Sequence, residues 1–340
     1  MLERLANASG WYSLSHHYTN SNNSMSMSLL LTSLLLLGSN IPDRQTVITV
    51  VGASGTDEYG QQFLEWSERW RSAAERAEAD FVSIGVDKGD ESSDRERLQQ
   101  QIEQLAGEST EPLWLILIGH GTFDGKAAKF NLRGADVTAT ELAGWLQRLN
   151  RPVAVINCAS SSGPFVNALA SENRVIVTST KSGFEQNLAR FGDFISRAII
   201  DTAFDLDKDE QTSLLEAFIA ASSRVEEFYE QEGRLATEHA LLDDNGDGRG
   251  TPANWFRGVR ATKSAKDGAV DGQLANRICL VRSEQESKMS AELRTQRDAL
   301  ESRLDALRVE KPMLPEEAYL SQLEPLLVAL ARLYESSTDE

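Results

Sequence analysis

Short apolar runs alternate with longer amphipathic segments through the central part of the chain. The runs are rich in aliphatic and β-branched residues, which is typical of strands buried on both faces. They predict five strands, at Thr46–Gly52, Asp80–Val86, Pro112–Ile118, Pro152–Asn157 and Arg174–Ser179. The segments between them predict helices at Glu58–Ala79, Ser93–Leu105 and Leu142–Leu149. This order predicts an α/β fold, with a mostly parallel sheet and helices on both faces.

Helical patterns dominate after the predicted sheet. Leu214–Tyr229 and the short Thr237–Leu241 are predicted helices, and leucines spaced among charges in residues 280–340 predict a helical hairpin. These leucines fit packing within the chain or a coiled coil between chains, so the oligomeric state stays open. We therefore divide the chain into a leader (1–44), an α/β domain (45–204), an extension (205–279) and a hairpin tail (280–340).

A leucine-rich block stands out within the leader. Residues Leu29–Leu37 are mostly apolar, and the small residues Gly38 and Ser39 follow them. The block is shorter than the roughly 20 residues of a membrane-spanning helix, and it fits the apolar region of a secretory signal peptide. The expected location is therefore secreted or periplasmic. Because basic residues do not closely precede the block, a leader without a targeting role, in a cytoplasmic protein, is the alternative.

The composition is that of an acidic globular protein. A formal net charge of −18 argues against general nucleic-acid binding, which needs clustered lysine and arginine. The two cysteines, Cys158 and Cys279, exclude a disulfide-dense scaffold and a four-cysteine zinc site. Outside the leader, His120 and His239 are the only histidines. We expect neither an organic cofactor nor a stable membrane span.

Candidate catalytic residues follow two of the predicted strands. The strand ending at Ile118 runs into Gly119, His120 and Gly121, and the next strand runs into Cys158. Sites in open parallel sheets form at the carboxyl ends of strands, so an imidazole and a thiol are expected to lie near each other. A cysteine nucleophile needs such a base, and the Gly121 amide could bind an oxyanion. Taken singly, the cysteine could equally be a small core residue.

The segments Leu-Ile-Leu-Ile-Gly-His120-Gly121 and Val-Ala-Val-Ile-Asn-Cys158-Ala-Ser resemble the legumain-like and caspase-like cysteine peptidases. The resemblance covers roughly residues 45–260. It implies a three-layer caspase-like sandwich and a cysteine endopeptidase acting on polypeptide substrates. It further implies that His120 is the general base and acid, that Cys158 is the nucleophile, and that the amides of Gly121 and Cys158 bind the oxyanion.

The sequence departs from this family pattern after the cysteine. These families often have Cys-X-Ser-Gly there, whereas this chain has Cys158-Ala-Ser-Ser-Ser-Gly163. An acidic residue that many members carry just before the cysteine is replaced by Ile156 and Asn157. The substrate preference therefore cannot be transferred. A serine hydrolase using Ser160–Ser162 is a weaker alternative, because the Gly-X-Ser-X-Gly elbow is missing.

Two acidic segments have the spacing of calcium loops. Oxygen-bearing side chains occupy positions 1, 3, 5, 9 and 12 of the segment 205–216, and a predicted helix follows. Its expected ligands are Asp205, Asp207, Asp209, Gln211 and Glu216. A glutamate, Glu210, stands where the loop normally has glycine. The second segment offers Asp243, Asn245 and Asp247, but Asn254 occupies its twelfth position.

These loops lead to Ca²⁺ as the expected metal. In metacaspases, which are caspase-like, calcium supports activity, and the resemblance implies a similar role here. The sequence therefore leaves two candidate functions. One is a calcium-modulated cysteine endopeptidase, and the other is a non-catalytic calcium-binding scaffold with the fold of a peptidase.

Overall fold

A seven-stranded sheet forms the centre of the computed structural model, which describes residues 43–87, 93–107, 109–265 and 269–338. The predicted signal peptide lies outside these residues. The strands are β1 (Thr46–Val51), β2 (Asp80–Ile84), β3 (Leu113–Ile118), β4 (Gly121–Phe123), β5 (Ala128–Phe130), β6 (Val137–Thr138), β7 (Val153–Asn157), β8 (Arg174–Thr178), β9 (Leu241–Asp243), β10 (Thr251–Pro252), β11 (Phe256–Arg257) and β12 (Arg260–Ala261).

The central sheet has the order β10-β9-β8-β7-β3-β1-β2. Strands β1, β2, β3, β7 and β8 are parallel, while β9 and β10 add antiparallel pairs at one edge. The five predicted strands are therefore confirmed as one mostly parallel sheet. The predicted extension, residues 205–279, supplies both antiparallel strands of that sheet.

Helices cover both faces of this sheet, as predicted. They are α1 (Asp57–Arg76), α2 (Asp94–Gln104), α3 (Ala139–Leu146), α4 (Pro164–Leu169), α5 (Phe191–Ala198), α6 (Leu214–Gln231), α7 (Gln273–Arg277), α8 (Glu284–Lys288), α9 (Ala291–Glu310) and α10 (Glu316–Thr338). Buried side chains of α1, α5 and α6 form a core with one face, and those of α2, α3 and α4 form a core with the other. Serine or threonine caps with a glutamate partner start α2 and α3, as the spacing predicts.

The C-terminal helices form the predicted hairpin. Leu304 and Leu307 of α9 pack with Tyr319 and Leu326 of α10. Glu111, buried at the start of β3, forms ion pairs with Arg282 and Arg294, which tie the hairpin region to the sheet. None of the described helices has the length and apolar composition that crossing a membrane requires.

One predicted helix is wrong. Residues 237–240 are not helical, and the chain continues into β9. Glu238 explains the difference, because its carboxylate accepts the backbone N–H groups of Arg190 and Phe191 at the start of α5. Satisfying these otherwise unpaired donors favours the extended path over a short helix.

Candidate functional site

Strands β3 and β7 bring the two predicted catalytic segments together. Their parallel register pairs Leu113 with Val153 and Leu117 with Asn157, a constant offset of 40 positions. Continued past the strand ends, this offset places His120 level with Ser160. The sequence therefore identified the correct two strand ends, but the register matches the histidine to a serine rather than to Cys158.

Hydrogen bonds join Ser160 to the histidine–glycine turn. The Ser160 hydroxyl accepts the backbone N–H of Gly121 and donates to the Gly121 carbonyl, both at 3.2 Å. A Cβ atom on residue 121 would lie 2.3 Å from the Ser160 carbonyl oxygen, so glycine is needed for this close approach. The Gly121 amide, predicted to bind an oxyanion, is thus bonded to a side chain of the protein.

His120 is held by a carbonyl and two rings. Its Nε2 lies 3.1 Å from the backbone oxygen of Ser54, and the rings of Tyr59 and Phe63 meet the imidazole edge-on at 5.3 Å. A carbonyl only accepts hydrogen bonds, so the neutral imidazole carries its proton on Nε2. This leaves Nδ1 as the basic nitrogen.

Cys158 is sealed inside the core. Its side chain is 1% exposed and belongs to the same apolar cluster as Ile156 and Phe191. A Cβ on Gly192 would lie 2.9 Å from the Cβ of Cys158 and 2.5 Å from the Trp66 ring, so the helix α5 covers the cysteine closely. Burial raises the pKa of the Cys158 thiol far above its ordinary value, and the nearby Glu238 acts in the same direction.

This environment does not fit the nucleophile predicted at Cys158. A nucleophilic cysteine needs thiolate character and access to substrate, and both are lost by burial in an apolar cluster. Its predicted second role is wrong, because the Cys158 N–H donates to the Leu117 carbonyl at 2.8 Å and is not free for an oxyanion.

The residues after Ser160 form a tightly bonded turn. Ser161 has a φ of 55°, and its N–H donates to the Glu185 carbonyl. Ser162 shares a hydrogen bond with the Thr180 hydroxyl. All three serines are at most 3% exposed. The turn therefore fixes the backbone beside the histidine, while Ser160 alone of the three bonds to the histidine–glycine turn.

Three acidic residues of the segment 205–216 converge. Carboxylate oxygens of Asp205, Asp207 and Asp209 lie within 4.8 Å of one another. Glu216, the twelfth residue, accepts the N–H groups of Leu206 and Asp207, at 2.6 and 3.4 Å. Its carboxylate therefore closes the loop from the far end. Burial raises the pKa of Asp209 to about 6.

Two residues of this loop act differently from the prediction. The Gln211 amide nitrogen donates to the Asp209 carboxylate, and its oxygen, the atom that would bind an ion, accepts the N–H of Ser283 instead. Glu210 has a φ of 70°, a conformation that favours glycine. The loop thus adopts the turn that glycine normally provides, at a cost of roughly 1–2 kcal/mol.

The second acidic segment forms a similar turn between β9 and β10. Asp243 accepts the N–H of Gly248 at 3.1 Å, and Asn245 accepts that of Asp247 at 2.8 Å. Burial raises the pKa of Asp243 to about 6, and the neighbouring carboxylates of Asp247 and Asp244 act in the same direction. Asn254, the twelfth position, lies within a short 3-10 turn, Ala253–Trp255, that follows β10.

Sequence reasoning missed Ser160 as the partner of the turn. The signal was present, because Ser160-Ser161-Ser162-Gly163 has the Ser-Gly spacing that the family pattern places after its nucleophile. The prediction chose Cys158 because it is the only cysteine close to the end of β7.

Comparisons with known proteins find similarity only among solved structures. No family model and no curated protein matches the chain. Among solved structures, it is similar to the Drosophila initiator caspase Dronc, with 12% identity, 62% of this chain and 82% of that chain covered, and a TM-score of 0.42. It is also similar to caspase-1 from Spodoptera frugiperda, with 11% identity, 59% and 86% covered, and a TM-score of 0.39.

A third similar structure is the protein GSU0716 from Geobacter sulfurreducens. Its identity is 12%, the coverage is 58% of this chain and 92% of that chain, and the TM-score is 0.38. Likenesses at this level carry no conclusion about activity.

Proposed function

We propose that this protein is a calcium-binding scaffold with a caspase-like fold, and that it does not act as a thiol peptidase. The observation that carries the proposal is the burial of Cys158 beneath helix α5. The chain holds its other cysteine, Cys279, buried as well. The thiol chemistry implied by the sequence resemblance therefore has no accessible sulfur.

The hydrogen bonds at the strand ends support a structural role. Gly121 and Ser160 satisfy each other, so neither the amide nor the hydroxyl offers a free group to a substrate. Catalysis would require both bonds to break before an oxyanion could bind. The two groups join the start of β4 to the turn after β7.

The loop 205–216 supports the calcium part of the proposal. Calcium takes six to eight oxygen ligands, and the converging carboxylates of Asp205, Asp207 and Asp209 provide three of them. The strained Glu210 lowers the expected affinity. A weak site suits an extracellular or periplasmic protein, where modules bind calcium at about 10⁻⁴–10⁻³ M. The proposed location therefore agrees with the predicted leader.

The peptidase part is tested with a positional peptide library, with and without calcium. We expect no turnover that depends on Cys158. Turnover by the wild type that disappears in Cys158→Ala, with folding retained by circular dichroism, would overturn the proposal. Cys279→Ala is the matched control, since it removes a second buried thiol from a different element.

The calcium part is tested by calorimetry on the chelator-treated chain. Glu216→Gln removes the closing charge, while glutamine still fits the capping box of α6. We expect the wild type to bind Ca²⁺ and this variant to bind one ion fewer. Absence of binding heat in the wild type would remove calcium from the proposal.

A serine-type hydrolase is the second candidate, and one observation favours it. The Ser54 carbonyl fixes the tautomer of His120 so that Nδ1 is a base, at a turn bonded to Ser160. Such a base could activate a hydroxyl toward a polypeptide substrate. Labelling of the native chain by a fluorophosphonate, abolished in Ser160→Ala and in His120→Ala, would favour this candidate over the scaffold.

A further inference from the structure

Asp271 lies against the second acidic loop, although 23 to 28 positions separate it from residues 243–248 in the sequence. Its Oδ1 accepts the N–H groups of Asp244 and Asn245, at 3.1 and 3.3 Å. Its Oδ2 accepts the Thr251 hydroxyl at 2.5 Å. The side chain is 3% exposed, so a distant carboxylate is buried within the turn between β9 and β10.

These contacts repeat those of the closing glutamate in the first loop. Glu216 accepts the N–H groups of the second and third loop residues, and its other oxygen accepts the hydroxyl of the ninth, Ser213. Asp271 makes the same three bonds to the second, third and ninth residues of the segment that starts at Asp243. The carboxylate missing at Asn254 is thus supplied from another part of the chain.

A second observation points to a bound cation. Asp243 is 1% exposed, and its Oδ1 is buried without a hydrogen-bond partner among the described residues. Its other oxygen faces across the loop to Gly248, so the carboxylate lies inside the turn. A buried carboxylate oxygen without a donor is costly unless an ion binds it.

The surrounding charges agree with a cation. The charges that act on Asp271 are the carboxylates of Asp244 and Asp243, and the Arg277 cation of α7 acts on Asp244. Asp244 itself is engaged, because it accepts the N–H groups of Gly272 and Ala275. This bond pair and the Asp271 bonds lock the loop and the start of α7 together.

We propose that Asp271 completes a second Ca²⁺ site with the loop that begins at Asp243. Asp243, Asn245 and Asp247 supply side-chain oxygens, and Asp271 takes the place of the closing glutamate. An all-oxygen set rich in carboxylates suits Ca²⁺ better than Mg²⁺, which keeps several waters. This inference rests on the calcium function proposed above and extends it to a site whose final ligand is remote in sequence.

The experiment counts Ca²⁺ ions by calorimetry on the chelator-treated full chain. We expect two ions for the wild type, one for Asp271→Asn, one for Glu216→Gln and none for the double variant. In Asp271→Asn the second site should bind Ca²⁺ about tenfold or more weakly than in the wild type, too weakly to be counted. Glu230→Gln, an exposed acid on α6, is the control and should keep both ions.

The variants separate the two proposals. Two ions of unchanged affinity in Asp271→Asn would overturn the Asp271 site while leaving calcium binding intact. Loss of all binding in Glu216→Gln would likewise show that the first loop is the only site. A wild type that binds no ion would overturn both.

A folding defect in Asp271→Asn would be detected by circular dichroism. In that case the exposed Asp247 carries the test, because Asp247→Ala removes a ligand without disturbing a buried group. Retention of two ions of unchanged affinity by Asp247→Ala would contradict the site, and loss of one would support it.

Discussion

At the scale of single residues, the central finding is that Ser160, and not Cys158, bonds to the histidine–glycine turn. The two residues lie two positions apart, yet one fills the core and the other bonds to the histidine–glycine turn. The sequence predicts both strand ends correctly because apolar runs identify buried strands. Strand prediction alone does not tell which residue past β7 bonds to the histidine–glycine turn, since that depends on the register between two strands 40 residues apart.

The packing over Cys158 gives a prediction at Gly192. Alanine there would place its Cβ against Trp66 and Cys158, so Gly192→Ala should lower the free energy of unfolding by roughly 2–3 kcal/mol. Gly144→Ala is the matched control on α3, where the new Cβ meets no atom within 4 Å. It should be neutral or stabilising by about 0.5–1 kcal/mol. Equal effects in urea unfolding would contradict close packing of the thiol.

At the scale of elements, local signals explain what could be predicted. The capping spacings at Ser93 and Thr138 mark helix starts that the structure confirms, because the bonds concerned span only three residues. The helix predicted at 237–241 failed because Glu238 bonds to α5, almost 50 residues away. Asp271 bonds to the second acidic loop across 20 to 27 positions. Hydrogen bonds between residues so far apart produce no periodic pattern in a sequence.

Glu111 links β3 to the hairpin region, and its removal is the first prediction at this scale. It is buried and pairs with Arg282 at 2.5 Å and with Arg294. Glu111→Gln would leave two partly buried arginines without their partner, so the free energy of unfolding should fall by about 3 kcal/mol.

The control for Glu111 is the exposed ion pair of Glu284 with Lys288, at 2.6 Å. Glu284→Gln should leave the urea midpoint unchanged, because exposed pairs contribute little. Faster proteolysis of the hairpin in Glu111→Gln is also expected. Identical unfolding midpoints for the two variants would count against the linking role of Glu111.

A pH-dependent prediction concerns Glu301 in α9. Burial raises its pKa from 4.5 to about 7, and the nearby Asp298 acts in the same direction, while Arg297 opposes the shift. A raised pKa means that the folded chain binds the proton more tightly than the unfolded chain. Stability from this group is therefore present at low pH and is lost as the pH rises from about 4.5 to about 7.

Glu301→Gln removes this titration. Its melting temperature should match that of the wild type below about pH 4.5 and exceed it increasingly up to about pH 7. Glu310→Gln, at an exposed position of the same helix, is the control. A constant difference between Glu301→Gln and the wild type across this range would show that Glu301 is not buried as described.

At the scale of the whole molecule, the two acidic loops lie on either side of one short segment. Asn276 donates to Asp207 of the first loop, and Asp271 closes the second. Beyond this segment the backbone of Cys279 forms an isolated β-bridge with that of Ser213, and the chain then enters the hairpin. In a chain of net charge −18, cations at these loops would offset repulsion where the extension meets the tail.

The scaffold proposal depends on an inaccessible thiol at position 158. The most direct test is the rate at which iodoacetamide modifies Cys158 in the native Cys279→Ala chain, read by mass spectrometry. We predict that the sulfur reacts only as fast as the chain unfolds, and fully once denaturant is added. Modification of the native chain at the rate of an exposed thiol would contradict the scaffold proposal and restore Cys158 as a candidate nucleophile.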